Sequence, residues 1–239
     1  MKICILIIAL VYLNAAPSNY DWRQYNRVPE FRTSGQSTDW SVVLNGHLEC
    51  LYAKKVGKLV KLSEQMLLDC CINERFFSIK LMEISFQWLK KNGVMLESDY
   101  PFETLVRYDT CRFDINKSVM KILGYVKLGN LYNPELCANE EEMKQFLIDN
   151  GPLIVGFNAV GALQTYTSGI FDATQNQCPS SGINHVGLLV GYGTDNGIDF
   201  WTVKNTWGNT WGEKGYFRIR RGKGACGINC LVVSAKVSY

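Results

Sequence analysis

The chain has 239 residues, 47% of them hydrophobic and 20% charged, with a formal net charge of +3. That length supports one large domain or two lobes, each with a core of its own. The weak charge, and the lack of a basic cluster with interleaved aromatics, give no footprint for nucleic acid or a membrane surface. Lys54, Lys55, Lys58 and Lys61 read instead as a solvated helix end.

Residues 1–16 read as a secretory signal. Lys2 is the charged start, Ile3 to Leu13 is almost wholly apolar, and Ala15-Ala16 offers a small-residue cleavage site, with Pro17 disfavouring cleavage directly before it. The apolar run is shorter than the roughly 20 residues a spanning helix needs, although an uncleaved anchor is the other reading. Of nine cysteines, Cys4 lies in this signal. The remaining eight are an even count, which in an oxidising compartment suggests up to four disulfides. Metal binding is the weaker alternative, because no Cys-x-x-Cys pair has a second pair behind it and there are only two histidines. No metal or cofactor is expected.

The first helix is expected over about residues 38–55. Trp40, Val43, Leu44, Leu48 and Leu51 recur at helical spacing, Ser37 or Thr38 caps the start, and Asp39 places a carboxylate in the first turn. His47, in mid-helix, reads as a packing residue. Ser63 with Glu64 and Gln65 opens a second helix whose Leu67 and Leu68 turn inward. Ile79 to Asn92 is a third, with Leu81, Met82, Ser85, Phe86 and Leu89 on its buried side and Asn92-Gly93 as its stop.

From about Ile122 the pattern becomes strand-like, at Leu153–Phe157, His185–Val190, Phe200–Lys204 and Tyr216–Arg220. One amphipathic helix, Glu140–Asn150, interrupts it, and Asp195-Asn196-Gly197 marks a turn. The fold class is therefore α+β, with a helical first half and a mainly antiparallel second half. That pattern fits two lobes with a cleft between them.

Several phrases together resemble the papain family of cysteine peptidases, and the stretches Gly93 to Pro101 and Phe200 to Gly208 resemble its cathepsin L-like and insect-virus cathepsin members. The family phrases are Asn19-Tyr20-Asp21-Trp22-Arg23, Leu62-Ser63-Glu64-Gln65 ahead of Asp69-Cys70, Ile183-Asn184-His185-Val186-Gly187, and Lys204-Asn205-Thr206-Trp207-Gly208. The resemblance covers residues 19–239. It implies a papain-like domain over 17–239, with a helical lobe over about 34–121, a barrel-like β lobe over about 122–225, and termini crossing between them. It also implies a cysteine thiolate at the helix start, a histidine that holds its proton, an asparagine that orients the histidine, and a glutamine in the oxyanion hole. His185 and Asn205 match two of these positions. Trp40 follows the nucleophile position, and Trp207 would shield the His–Asn bond.

The nucleophile position itself carries Asp39. The oxyanion glutamine is replaced by Ser34, or by Gln36 if the loop is rebuilt. Glu74-Arg75-Phe76-Phe77 stands where the family has a glycine-rich cleft wall, and both halves of one family disulfide are missing. The signal runs into the mature start with no pro-segment between, unless an upstream piece is absent. Family disulfides are implied for Cys70–Cys111 and Cys178–Cys226. Cys50–Cys71 and Cys137–Cys230 are expected as extra pairs. Asn116-Lys117-Ser118 is a glycosylation sequon.

The expectation is a secreted or endolysosomal pseudopeptidase. It would act as a monomer by binding peptides, proteins or cystatin-like inhibitors in its cleft. The alternative is an endopeptidase with residual or relocated activity.

Overall fold

The computed structural model describes residues 16–32, 39–71, 79–103, 110–131, 133–173 and 177–238. Chain order begins with β1 (Tyr20–Asp21), then α1 (Asp39–Val56), α2 (Glu64–Cys70), α3 (Ile79–Asn92), β2 (Val94–Met95) and β3 (Ser118–Lys127). It continues with α4 (Glu140–Asn150), β4 (Leu153–Phe157), the single-turn α5 (Gly161–Gln164), β5 (Ile170–Phe171), β6 (His185–Asp195), β7 (Ile198–Lys204), β8 (Tyr216–Arg220) and β9 (Leu231–Ser238).

Local chemistry fixes the element ends. Ser63 Oγ accepts from the Met66 N–H at 3.0 Å and caps α2. Asn139 caps α4 by accepting from Glu141 and Glu142 N–H. Gly93 ends α3 at φ +101, where any Cβ would lie 2.1 Å from Ser118 Oγ. Asn196-Gly197 turns β6 into β7, both with positive φ, as a two-residue hairpin requires.

The strands run in the order β2-β3-β9-β4-β6-β7-β8-β5, antiparallel except for the β5–β8 pair, and β1 adds onto β6. This is an open sheet, not the barrel-like lobe expected from sequence. β9 inserts between β3 and β4, so the sheet extends toward α3 instead of closing on β5.

The sheet separates two cores. On one side Trp40, Leu44 and Leu48 of α1 meet Leu67, Phe86, Val186, Leu188 and Val233. On the other, Leu147, Val155, Phe157, Leu189, Trp201, Val203 and Phe217 pack with Trp22. Alternate residues of β4 and β6 serve opposite cores, which is why both strands read as continuous apolar runs. α1 is buried almost all round, its polar Ser41, Asn45, His47 and Glu49 included. At Gly46 it lies so close to β6 that an added Cβ would touch Leu188.

Three disulfides are present among the described residues: Cys70–Cys111, Cys178–Cys226 and Cys137–Cys230. The expected Cys50–Cys71 bridge is absent, and both thiols are free and buried. Cys50 sits in mid-α1 within the field of Lys204, whereas Cys71 turns off the end of α2 to hydrogen bond with Ser85 of α3. Each has its own apolar surroundings, and burial pushes both thiols well above the ordinary range.

Candidate active site

Three elements converge on one imidazole. His185 is the first residue of β6 and pairs across to Phe157, the last of β4. Asn205 follows β7 and is held by its own N–H to the Gly215 carbonyl at 3.0 Å. Asp39 opens α1, and its Oδ2 lies 3.6 Å from His185 Nδ1. The structure thus brings Asp39, His185 and Asn205 together.

The hydrogen bonds settle how the ring is protonated. Asn205 Oδ1 accepts the Thr206 N–H at 2.9 Å, so it is the oxygen, not the amide nitrogen, that faces His185. His185 Nε2 lies 2.8 Å from that oxygen and must donate to it. In the neutral ring, Nδ1 then carries a lone pair and points it at Asp39. Asn205 Nδ2 is buried without a partner among the described residues.

Aromatic walls fix the ring plane. Trp207 lies 4.9 Å from the imidazole at 34°, and Phe157 meets it edge-on at 5.3 Å. Trp207 is braced by Trp211, whose Nε1 donates to the Gln164 carbonyl at 2.8 Å. His185 is 8% exposed. Burial lowers its pKa, and the field of Asp39 and the Asn205 bond only partly oppose this.

Charged residues under the site are buried as a group. Glu49 pairs with Arg32 and accepts the Leu62 N–H at 2.6 Å. Ser41 Oγ donates to Glu64 Oε1 at 3.1 Å. Lys204, next to Asn205, donates to the carbonyls of Pro29 and Glu30 at 2.7 and 2.8 Å, and burial lowers its pKa to about 8. It therefore fastens the segment that leads toward residues 33–38.

Trp40 is 1% exposed and belongs to the helical core, whereas Trp207 is half-buried. Asn116 lies on an exposed single turn, its Nδ2 bonded to Asp114 Oδ1 at 3.2 Å. Ser34, Gln36, Phe76 and Phe77 lie outside the described residues. Thr206 is a residue to which sequence reasoning gave no role. Its N–H orients Asn205, and its hydroxyl lies 3.3 Å from His185 Nε2. Its place between two motif residues was the available signal. Among the described residues, no three His, Cys, Asp or Glu side chains converge as a metal site.

Comparison with known proteins identifies the family and its fold. A viral cathepsin of Adoxophyes honmai nucleopolyhedrovirus is 37% identical over 215 residues, covering 89% of this chain and 60% of its own length. Cathepsin F of Drosophila melanogaster is 33% identical over 232 residues, covering 94% of this chain and 36% of its own. The chain thus spans less than two thirds of these relatives. The solved structure of digestive procathepsin L 3 from the larval midgut of Tenebrio molitor superposes with a TM-score of 0.80 at 34% identity, over 94% of this chain and 71% of that one. The family model for papain family cysteine protease matches residues 16–236, and the chain belongs to that family.

Proposed function

We propose that this chain is a pseudopeptidase, a cathepsin-like protein that uses its cleft to bind and not to cut. The observation that carries this reading is Asp39 Oδ2, set 3.6 Å from His185 Nδ1 where a nucleophile would stand. A carboxylate at the start of a helix keeps a negative charge there without supplying sulfur chemistry. Its attack on an amide would give a mixed anhydride, a poor route to hydrolysis. Loss of the nucleophile from such a unit lowers turnover on the order of 10^6-fold. No other thiol is available among the described residues, since six cysteines are bridged and Cys50 and Cys71 are buried.

The ligand is a peptide or protein segment in the cleft, and an inhibitor of the cystatin type is one concrete partner. The signal-like residues 1–16 and the exposed sequon at Asn116 support a secretory or endolysosomal route and glycosylation. The protein acts as a monomer.

The test is to assay the purified chain on fluorogenic peptides beside His185→Ala. The expected result is no turnover above that variant, with cystatin-type binding tighter than about 10^-6 M, or about −8 kcal/mol. Hydrolysis that survives purification and disappears in His185→Ala would instead support an endopeptidase.

A further inference from the structure

A cavity of about 580 Å³ lies against the 29–32 segment, lined by neither Asp39, His185 nor Asn205. Phe31, Val60 and Phe102 are apolar walls, and Phe102 is 40% exposed. Phe31 is braced edge-on by Tyr216 at 5.3 Å. The Glu97 N–H donates to the Lys61 carbonyl at 2.9 Å and ties two wall segments together. Four carboxylates line the cavity, those of Glu30, Glu49, Glu64 and Glu97, against two cations, Arg32 and Lys61.

Both cations are already committed. Arg32 holds Glu49 Oε1 and lies 3.9 Å from Glu97 Oε2, and Lys61 Nζ lies 2.9 Å from Glu97 Oε1. Lys204, whose field also reaches Glu49, donates to the Pro29 and Glu30 carbonyls. Two buried acceptors are left over. Glu49 Oε2 has no hydrogen-bond partner among the described residues. Glu64 makes no ion pair among them, and its Oε1 is met only by the neutral Ser41 hydroxyl at 3.1 Å. A desolvated acceptor without a donor is costly, and a charged donor is its strongest complement. No three His, Cys, Asp or Glu side chains converge as a metal site among the described residues. The apolar walls suit a hydrocarbon body, and the volume is that of a small-molecule site, roughly 300–1,000 Å³. We propose that this cavity binds an organic cation, an ammonium head on an apolar or aromatic body. The head donates to Glu49 Oε2 and to the Glu64 carboxylate, and the body lies against Phe31, Val60 and Phe102.

Glu64 makes the site sensitive to pH. Burial raises its pKa to about 7. The charged groups acting on it are Arg32 from the 29–32 segment, Glu49 from α1 and Glu97 from the segment after β2, and Ser41 of α1 donates to it. A protonated Glu64 offers the head one charge fewer. Binding therefore strengthens as pH rises through 7 and weakens in acid.

The experiment titrates the full chain with 2-phenylethylamine by calorimetry, beside two controls. 2-Phenylethanol has the body without the charge, and methylammonium has the head without the body. The expected result is one saturable site for 2-phenylethylamine near pH 8, with both controls at least about tenfold weaker. Glu64→Gln keeps the acceptor for Ser41 and removes the charge, and it weakens the amine at least about tenfold. Phe102→Ala trims an exposed wall and weakens it severalfold. Circular dichroism checks that both variants are folded. Between about pH 8 and about pH 5.5 the wild-type affinity falls at least about tenfold, whereas the remaining affinity of Glu64→Gln changes little. Equal affinity for the alcohol, or unchanged affinity in either folded variant, overturns the proposal. So does a pH profile as steep in Glu64→Gln as in wild type, or a Kd for 2-phenylethylamine weaker than about 1 mM.

Discussion

His47 of α1 and Ala235 of β9 are 188 positions apart in sequence, and the Ala235 N–H donates to His47 Nε2 at 2.9 Å. On the ring's other side, Nδ1 donates to the Pro152 carbonyl at 2.9 Å. Both nitrogens are satisfied only while the ring is neutral, and protonation at Nε2 breaks the bond to β9. Burial accordingly pushes this histidine's pKa down to about 4, from an ordinary value near 6.5. A folded-state value below the unfolded one means the contribution is intact above about pH 6.5 and is lost as pH falls toward 4. The full loss is roughly 3 kcal/mol. The difference between wild type and His47→Gln isolates this effect. The variant should be less stable near neutral pH, and its urea midpoint should fall less between pH 6.5 and 4. Parallel profiles for the two proteins would contradict the assignment.

Glu64 acts with the opposite sign. It is 4% exposed, its Oε1 accepts from Ser41, and burial raises its pKa to about 7. A carboxyl whose folded-state value is raised is most favourable below its unfolded pKa, and its contribution falls as pH rises through 7. Glu64→Gln keeps an acceptor for the Ser41 hydroxyl and removes the charge. The variant should match wild type near pH 4.5 and be more stable above pH 7.5 by about 1–3 kcal/mol. Equal melting temperatures across that range would show that water or a neighbouring cation solvates the carboxylate.

The free thiols give a chemical check on the core. Cys50 and Cys71 are 0% and 4% exposed, and burial holds both in the unreactive protonated form. Without reductant, native protein should take up no alkylating reagent at these positions, and denatured protein should be labelled at both. Mass mapping that finds them bridged would restore the pairing expected from the even cysteine count.

What the sequence made legible was local or phrase-like. The helical period from Trp40 to Leu51 located α1, and the turn at Asn196-Gly197 located the β6–β7 hairpin. The histidine and asparagine phrases identified two members of the site. Sheet closure was not legible, because it depends on β9 pairing with β4 across nearly eighty residues, as in Ile154 with Val233. No local period encodes that choice. The Cys50–Cys71 expectation failed for a related reason: parity counts thiols but does not see that Cys50 is fully buried in mid-α1. Lys204 and Glu49 look like surface charges in a one-dimensional reading. Only the fold shows them beneath the site, holding the 29–32 segment and its arginine.

The most informative substitution is Asp39→Cys. The helix start, the orientation of His185 by Asn205 and the Trp207 shield are all in place to stabilise a thiolate beside an imidazolium. The variant should therefore react with iodoacetamide faster than Cys50 or Cys71 in the native protein, and at mildly acidic pH. His185→Ala in the same background should abolish that advantage. Turnover is a separate matter, because a peptide carbonyl also needs oxyanion donors. On the expectation from the sequence that Ser34 or Gln36 takes the position of the oxyanion glutamine, hydrolysis should remain about 10^2–10^3-fold below that of an intact cathepsin. Restoring glutamine at position 34 should then recover part of that deficit. Slow alkylation of Asp39→Cys would mean that the imidazole does not activate position 39. Fast alkylation with full turnover would mean that the aspartate alone keeps the cleft from cutting.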